Sequence, residues 1–134
     1  MSLDDLIARA AAVLNPHRTK EDRLFGDVGA AVLSKAGNVY TGVCVDTPSW
    51  GLCAERSAMA AMITNGEYQI AKVVAVWRDE ATGKLHILPP CGTCREFMRQ
   101  VDAANLEADV VLGRDEVEKL KQLLPRHEWP VPIE

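Results

Sequence analysis

The sequence predicts an α/β fold, a three-layer domain built on a central sheet. Apolar runs of strand length alternate along the chain with stretches of helical periodicity, the pattern of layered α/β proteins. Crossovers between successive strands require parallel pairing in at least part of the sheet. The chain has 134 residues, 48% of them hydrophobic, which suits one compact core and is too little for two. No repeat, low-complexity stretch or linker interrupts it, so residues 1–134 read as a single domain.

Ser2 followed three residues later by Asp5 has the form of a capping box, and Leu3, Leu6, Ile7, Ala10, Val13 and Leu14 recur at helical spacing. Pro16 is expected to end that helix. Residues 28–33 and 38–45 are strand-like, and Lys35-Ala36-Gly37-Asn38 between them has hairpin-turn chemistry. Residues 46–52 hold Pro48 and Gly51 and read as a loop. The apolar run 53–63, closed by Asn65-Gly66, reads as a second helix with Cys53 and Glu55 at its N-terminus. Residues 71–77 form a buried-type strand with Trp77 in the core, 79–84 a turn around Gly83, and 85–88 a brief strand stopped by Pro89-Pro90. A third helix over 91–101 presents Phe97, Met98 and Val101 on one face, followed by a strand over 109–112 and a last helix over 115–124. The tail after Pro125, which carries Trp129, reads as irregular.

Composition narrows the function. A net charge of −4 argues against a broad basic groove, hence against a nucleic-acid polymer, and favours a small-molecule ligand. No stretch approaches the roughly 20 apolar residues of a membrane span, and no basic start leads into a long apolar run, so no membrane partner and a cytoplasmic location are expected. In that setting the four cysteines are expected to be reduced, and clustered thiols point to metal binding or catalysis.

Cys91-Gly92-Thr93-Cys94 is a C-x-x-C that opens a helix directly after a strand and a proline. Alone it fits a redox pair, half of a structural zinc site or part of a catalytic one. Cys53 also opens a helix, and two helix N-termini side by side would bring three thiols to one point, where the helix dipoles and a cation both favour thiolate. Three ligands leave one coordination position open, as in catalytic zinc sites. Glu55, on the first turn after Cys53, reaches toward that position without being a ligand. Desolvation would raise its pKa and a nearby cation would lower it.

Cys53-Ala54-Glu55 followed by Pro90-Cys91-Gly92-Thr93-Cys94 resembles the zinc nucleoside and nucleobase deaminase signature in its three-cysteine form. "VGAAVLSKAGNVYTGV", "CAERSA", "PPCGTCREFM" and "LLP" resemble the small homotetrameric cytidine deaminases, and the short stretch from "TGV" to "CAE" resembles the blasticidin-S deaminases. The resemblance runs from about Val28 to Pro125. It implies a three-layer α/β/α sandwich around a mixed five-stranded sheet, one zinc per subunit on Cys53, Cys91 and Cys94, and Glu55 as the proton carrier. It also implies a homotetramer or homodimer whose active sites are completed by neighbouring subunits. The reaction implied is hydrolytic removal of an amino group as ammonia, from cytidine or deoxycytidine, or alternatively from blasticidin S or another aminated base analogue. Zinc with three thiolates carries a formal charge of about −1, and the matching arginine of the family, Arg56 here, offsets it by hydrogen bonding to the sulfurs; Arg95 beside Cys94 is a second candidate.

Departures from the family concentrate on the sugar. Cys44-Val45-Asp46 stands where cytidine deaminases carry "NVE", whose Asn and Glu hold the ribose hydroxyls. Phe25 lies one residue farther from the "VGAA" strand than the family's ring-stacking Phe. Trp50, where Tyr is common, and Trp129 are candidate aromatic walls, and Ala54 a candidate substrate contact. Blander readings stand beside these: Cys44 as a free buried cysteine, His17, His86 and His127 as surface or capping residues, and Asp79-Glu80 and Arg114-Asp115-Glu116 as solvated charges. The rival functions are a closed structural zinc in a binding module, a dithiol redox protein and a polynucleotide editor. Glu55 argues against the first, bound zinc would exclude the second, and the acidic balance argues against the third.

Overall fold

Ser2 starts the first helix, α1 (Leu3–Ala12), by a reciprocal cap in which the Asp5 N–H donates to Ser2 Oγ and the Ser2 N–H to Asp5 Oδ2, both at 3.1 Å. The structure is a computed structural model that describes residues 1–128 and 130–134; the expectation for Trp129 lies outside the described residues. Two short strands, β1 (His17–Arg18) and β2 (Leu24–Phe25), pair in a small ribbon that sequence periodicity had not marked. β3 (Val28–Ser34) and β4 (Val39–Val43) form the expected hairpin around Gly37, whose φ of +94° suits a residue without Cβ.

The stretch expected to be a loop after β4 is a second hairpin, β5 (Val45–Thr47) and β6 (Trp50–Leu52), turning at Pro48-Ser49. The expected strand over 38–45 therefore breaks at Cys44. α2 (Ala54–Thr64), β7 (Ile70–Arg78), β8 (Leu85–Leu88), α3 (Gly92–Val101) and β9 (Asp109–Gly113) follow close to their expected places. The last segment differs. Residues 116–119 form β10 (Glu116–Lys119) against β9, and only α4 (Leu120–Leu123) is helical. Glu-Val-Glu-Lys carries no decisive period, so the ladder and the Lys119–Asp109 ion pair at 2.6 Å decide its conformation.

The central sheet has the strand order β10-β9-β7-β3-β4, with β8 added along β7. It is mixed, since β7 and β9 run parallel and the other pairs antiparallel. It thus holds six strands where five were expected, β10 being the addition. Alternate residues face the two helical layers. Leu6 and Ala10 of α1 cover Ala31, Val74, Val76 and Val111. Ala58, Met59 and Met62 of α2 and Met98 of α3 cover Ala30, Val32, Val73, Ala75 and Val110 on the other face. Trp77 is only half-buried and stacks on His86 with ring centroids 5.3 Å apart, so it sits outside the core expected to hold it.

Two contacts place the helices that matter for function. At Gly42 of β4 a Cβ would lie 2.5 Å from the Ala58 nitrogen and 2.6 Å from Ser57 Oγ, so α2 rests directly on the backbone of the strand. Asn105, buried in a 3-10 turn (Ala103–Glu107), accepts from the Ile70 N–H at 2.8 Å and donates to Met98 O at 3.0 Å, tying the end of α3 to the start of β7. Among the described residues no helix is long and apolar enough to cross a membrane.

Candidate functional site

α2 and α3 lie on the same face of the sheet, and both begin with a cysteine in extended conformation, Cys53 at φ −66° and Cys91 at φ −69°. An N-cap side chain points back over its own helix start, and here the two starts meet. The Sγ atoms of Cys53, Cys91 and Cys94 all lie within 4.8 Å of one another, with Cys53 and Cys91 3.5 Å apart. The Cys94 N–H points at Cys91 Sγ at 3.5 Å, so the first turn of α3 offers its sulfur a backbone donor. Burial pushes the Cys53 thiol up, and it pushes Cys94 well above the ordinary thiol range with the Glu55 charge adding to the effect. Burial acts upward on Cys91 too, but the Cys94 N–H and the neighbouring thiols outweigh it and hold Cys91 below its usual value. Three soft donors converging at two helix N-termini are the ligand chemistry of zinc, and among the described residues no histidine or carboxylate joins the group. His86 is stacked on Trp77, and His127 Nδ1 lies 3.0 Å from Leu124 O.

Glu55, in the first turn of α2, is 5% exposed, and its carboxylate has no side-chain hydrogen-bond partner among the described residues. Burial raises its pKa, against the opposing pull of its own backbone N–H and of Arg56. With only its own backbone N–H as a hydrogen-bond partner, a carboxyl group so deeply buried is a candidate for a functional role. Arg56 reaches Cys53 Sγ with Nη2 at 3.6 Å and Gly51 O at 3.4 Å, while its Nε is buried with no partner among the described residues. Arg95 is placed differently from its sequence expectation. Its guanidinium donates to Pro90 O at 2.8 Å and to Leu123 O at 3.1 Å, bracing the loop before α3 against α4 rather than reaching a sulfur.

A cleft of about 470 Å³ opens over this group, with Cys53, Ala54, Glu55, Arg56 and Cys91 in its wall. Another part of the wall is Asp27, Cys44 and Asp46. Cys44 does face the cleft, and its thiol donates to Asp27 Oδ1 at 3.0 Å; burial and that carboxylate both keep the thiol protonated. Phe25 is half-buried in β2 and Trp50 is 59% exposed on β6, and neither lines the cleft. Sequence reading missed Asp27, Leu88, Pro89 and Thr93. Leu88, Pro89 and Thr93 flank the C-x-x-C and were reachable from it, whereas only tertiary pairing brings Asp27 to Cys44.

Residues 2–108 match the family model described as the cytidine and deoxycytidylate deaminase zinc-binding region. A cytidine deaminase of Halalkalibacterium halodurans is 35% identical over 92 residues, 62% of this chain and 66% of that protein. A blasticidin-S deaminase of Bacillus cereus is 32% identical over 76 residues, 53% of this chain and 54% of that protein. The chain thus spans between about a third and two thirds of the length of the curated relatives it matches. Among solved structures, the cytidine deaminase of Mycobacterium leprae superposes with a TM-score of 0.74 at 29% identity, covering 94% of this chain and 99% of that one. The matched region includes all three thiols, and together with their convergence it assigns them one zinc per chain. With its cysteine triad and its buried glutamate inside that match and its fold shared with a solved cytidine deaminase, the chain belongs to the cytidine and deoxycytidylate deaminase zinc-binding family.

Proposed function

We propose that residues 1–134 are one zinc-dependent deaminase domain that hydrolyses the exocyclic amino group of a cytosine nucleoside, cytidine or deoxycytidine, releasing ammonia. The observation that carries this reading is Glu55, a carboxyl group 5% exposed and without a side-chain partner, in the wall of a cleft shared with three converging thiols. A structural zinc site has no use for such a group. When bound, zinc supplies a Lewis acid that brings the ionisation of water near neutral pH. The raised pKa of Glu55 suits it to relay protons in turn, one from the attacking water to the ring nitrogen beside the amino-bearing carbon and the second, from the hydroxyl group so added to that carbon, to the departing nitrogen. Overall one C–O bond forms, one C–N bond breaks, and water and the amine become the oxo product and ammonia. Arg56 offsets the charge of the thiolates through Cys53. Arg95 serves by bracing the start of α3.

Blasticidin S is the second reading, favoured by the Bacillus cereus relative and by Cys44 and Asp46 in place of the ribose-binding pair. A cytoplasmic location is supported by a site that needs reduced cysteines. Assembly into a homotetramer or homodimer is supported by Trp50, an exposed aromatic on the hairpin that forms part of the cleft wall; Trp50 and Phe25 then contact substrate only across a subunit boundary. Ammonia release by zinc-quantified protein tests the reading, against cytidine, deoxycytidine, cytosine and blasticidin S. Turnover of cytidine or deoxycytidine is expected. Turnover of blasticidin S alone would transfer the same chemistry to the second substrate, and release from none of them by zinc-loaded protein would refute the reading.

A further inference from the structure

The chain enters α3 through two residues that carry no backbone N–H. The ladder of β8 ends at Leu88, and neither Pro89 nor Pro90 can be pinned by a bond that it donates. The next residue is Cys91, whose sulfur has to be aimed. The proline ring fixes φ of Pro90 and the peptide bond is planar, which leaves ψ of Pro90 as the soft rotation that swings the Pro90–Cys91 peptide and the start of α3 with it. Arg95 closes that freedom. Its backbone N–H donates to Cys91 O at 3.0 Å and its Nε donates to Pro90 O at 2.8 Å, so one residue holds the chain on both sides of Cys91.

The other arm of the guanidinium, Nη1, donates at 3.1 Å to the carbonyl of Leu123, the last residue of α4. That carbonyl is itself anchored. Leu120 is fully buried in the core cluster that holds Met98 and Val110, its N–H donates to Ala108 O at 2.9 Å, and Lys121 Nζ reaches Glu107 Oε1 at 2.8 Å. α4 is therefore a fixed support, and Arg95 spans from it to the residue that precedes a metal-binding thiol. A lysine, a point charge on a flexible stem, does not hold two carbonyl groups in the fixed directions of a planar guanidinium. We propose that Arg95 is a positioning residue for the metal centre: through the Pro90 and Leu123 carbonyls it fixes the direction of Cys91 against α4, so that the zinc affinity of the site depends on how α4 is seated. The proposal rests on the zinc assignment and not on the substrate. Absence of ammonia release would refute the deaminase reading and leave the constants measured below untouched.

Two readouts test it, the zinc dissociation constant from chelator competition and the absorption bands of the cobalt(II)-substituted protein, which report the geometry of the thiolate set. They are measured well below the unfolding temperature in wild type, Arg95→Gln, Arg95→Lys, Leu120→Ala, the Arg95→Gln/Leu120→Ala double variant and Leu6→Ala. Leu6 of α1, fully buried on the opposite face of the sheet, supplies a loss of stability without a link to Cys91. Arg95→Gln is expected to weaken zinc by about 10–100-fold, the usual cost of losing a group that orients a metal ligand, and to shift the cobalt bands. Arg95→Lys falls between it and wild type. Leu120→Ala weakens zinc by itself but adds nothing in the Arg95→Gln background, because the link it loosens is already gone. Leu6→Ala, though less stable in denaturant, keeps its zinc constant within about twofold of wild type. A wild-type constant and cobalt spectrum in Arg95→Gln, an equal loss of zinc in Leu6→Ala, or additive losses in the double variant would overturn the proposal. Should Arg95→Gln fail to fold, an unchanged constant and spectrum in Arg95→Lys counts against it in the same way, and Leu120→Val replaces a Leu120→Ala protein that does not fold. Wild-type protein without affinity for zinc would overturn the proposal together with the metal assignment.

Discussion

The metal wall of the cleft and its acidic wall are made by different means. The first comes from two helix starts, Cys53 before α2 and Cys91 before α3, side by side on one face of the sheet. The second comes from an interruption, the break at Cys44 between β4 and β5, closed onto Asp27 by one thiol hydrogen bond. A helix start holds its functional groups by local rules, and the rigid packing behind it keeps them there. A strand break holds them by non-local pairing, with Asp46 exposed and Cys44 resting against the edge of the core. The comparison teaches that the metal group is set by local helix-start geometry, whereas the acidic wall depends on pairing between segments distant in sequence.

Removing a ligand should break the first wall outright. Cys91→Ser is expected to lose both zinc, measured by metal analysis after dialysis, and activity, because a serine hydroxyl is a poor zinc donor. Gly42→Ala attacks the same wall from behind. Its Cβ would press on the Ala58 nitrogen, which as helix backbone cannot give, so denaturant unfolding should show a loss of about 1–3 kcal/mol together with weaker zinc retention. The acidic wall should respond more gently. In Gly51→Ala the new Cβ meets the movable end of Asp46, and KM for a nucleoside is expected to rise by up to about fivefold, about 1 kcal/mol, with zinc content unchanged. Cys44→Ser keeps a donor for Asp27 and should be the mildest, within about 0.5 kcal/mol of wild type in stability and within about twofold in kcat/KM. A Cys44→Ser protein that lost its zinc would erase the distinction between the walls.

The same contrast explains what was legible in the sequence. Cys53, Glu55, Cys91 and Cys94 could be placed because each lies at a helix start that capping and periodicity reveal, and the apolar runs of β3, β7 and β9 announced their strands. Residues 46–52 read as a loop because Pro48 and Gly51 obscure a hairpin whose ladder is only three residues long on each side. Residues 116–119 were assigned to a helix because pairing with β9, rather than any local preference, makes them a strand. Asp27 escaped notice since nothing near it in sequence announces Cys44, 17 residues away. Arg95 shows the reverse error: adjacency to Cys94 suggested the sulfur, while the backbone oxygens of Pro90 and Leu123 were nearer partners.

The central claim is that Glu55 moves protons for a metal site it does not help to bind. Zinc content and ammonia release from a cytosine nucleoside, measured side by side in wild type and Glu55→Gln, test it most directly. The account predicts one zinc per chain in both proteins and a rate about 10²–10⁴-fold lower in the variant. Undiminished turnover in Glu55→Gln, or loss of its zinc, would contradict it.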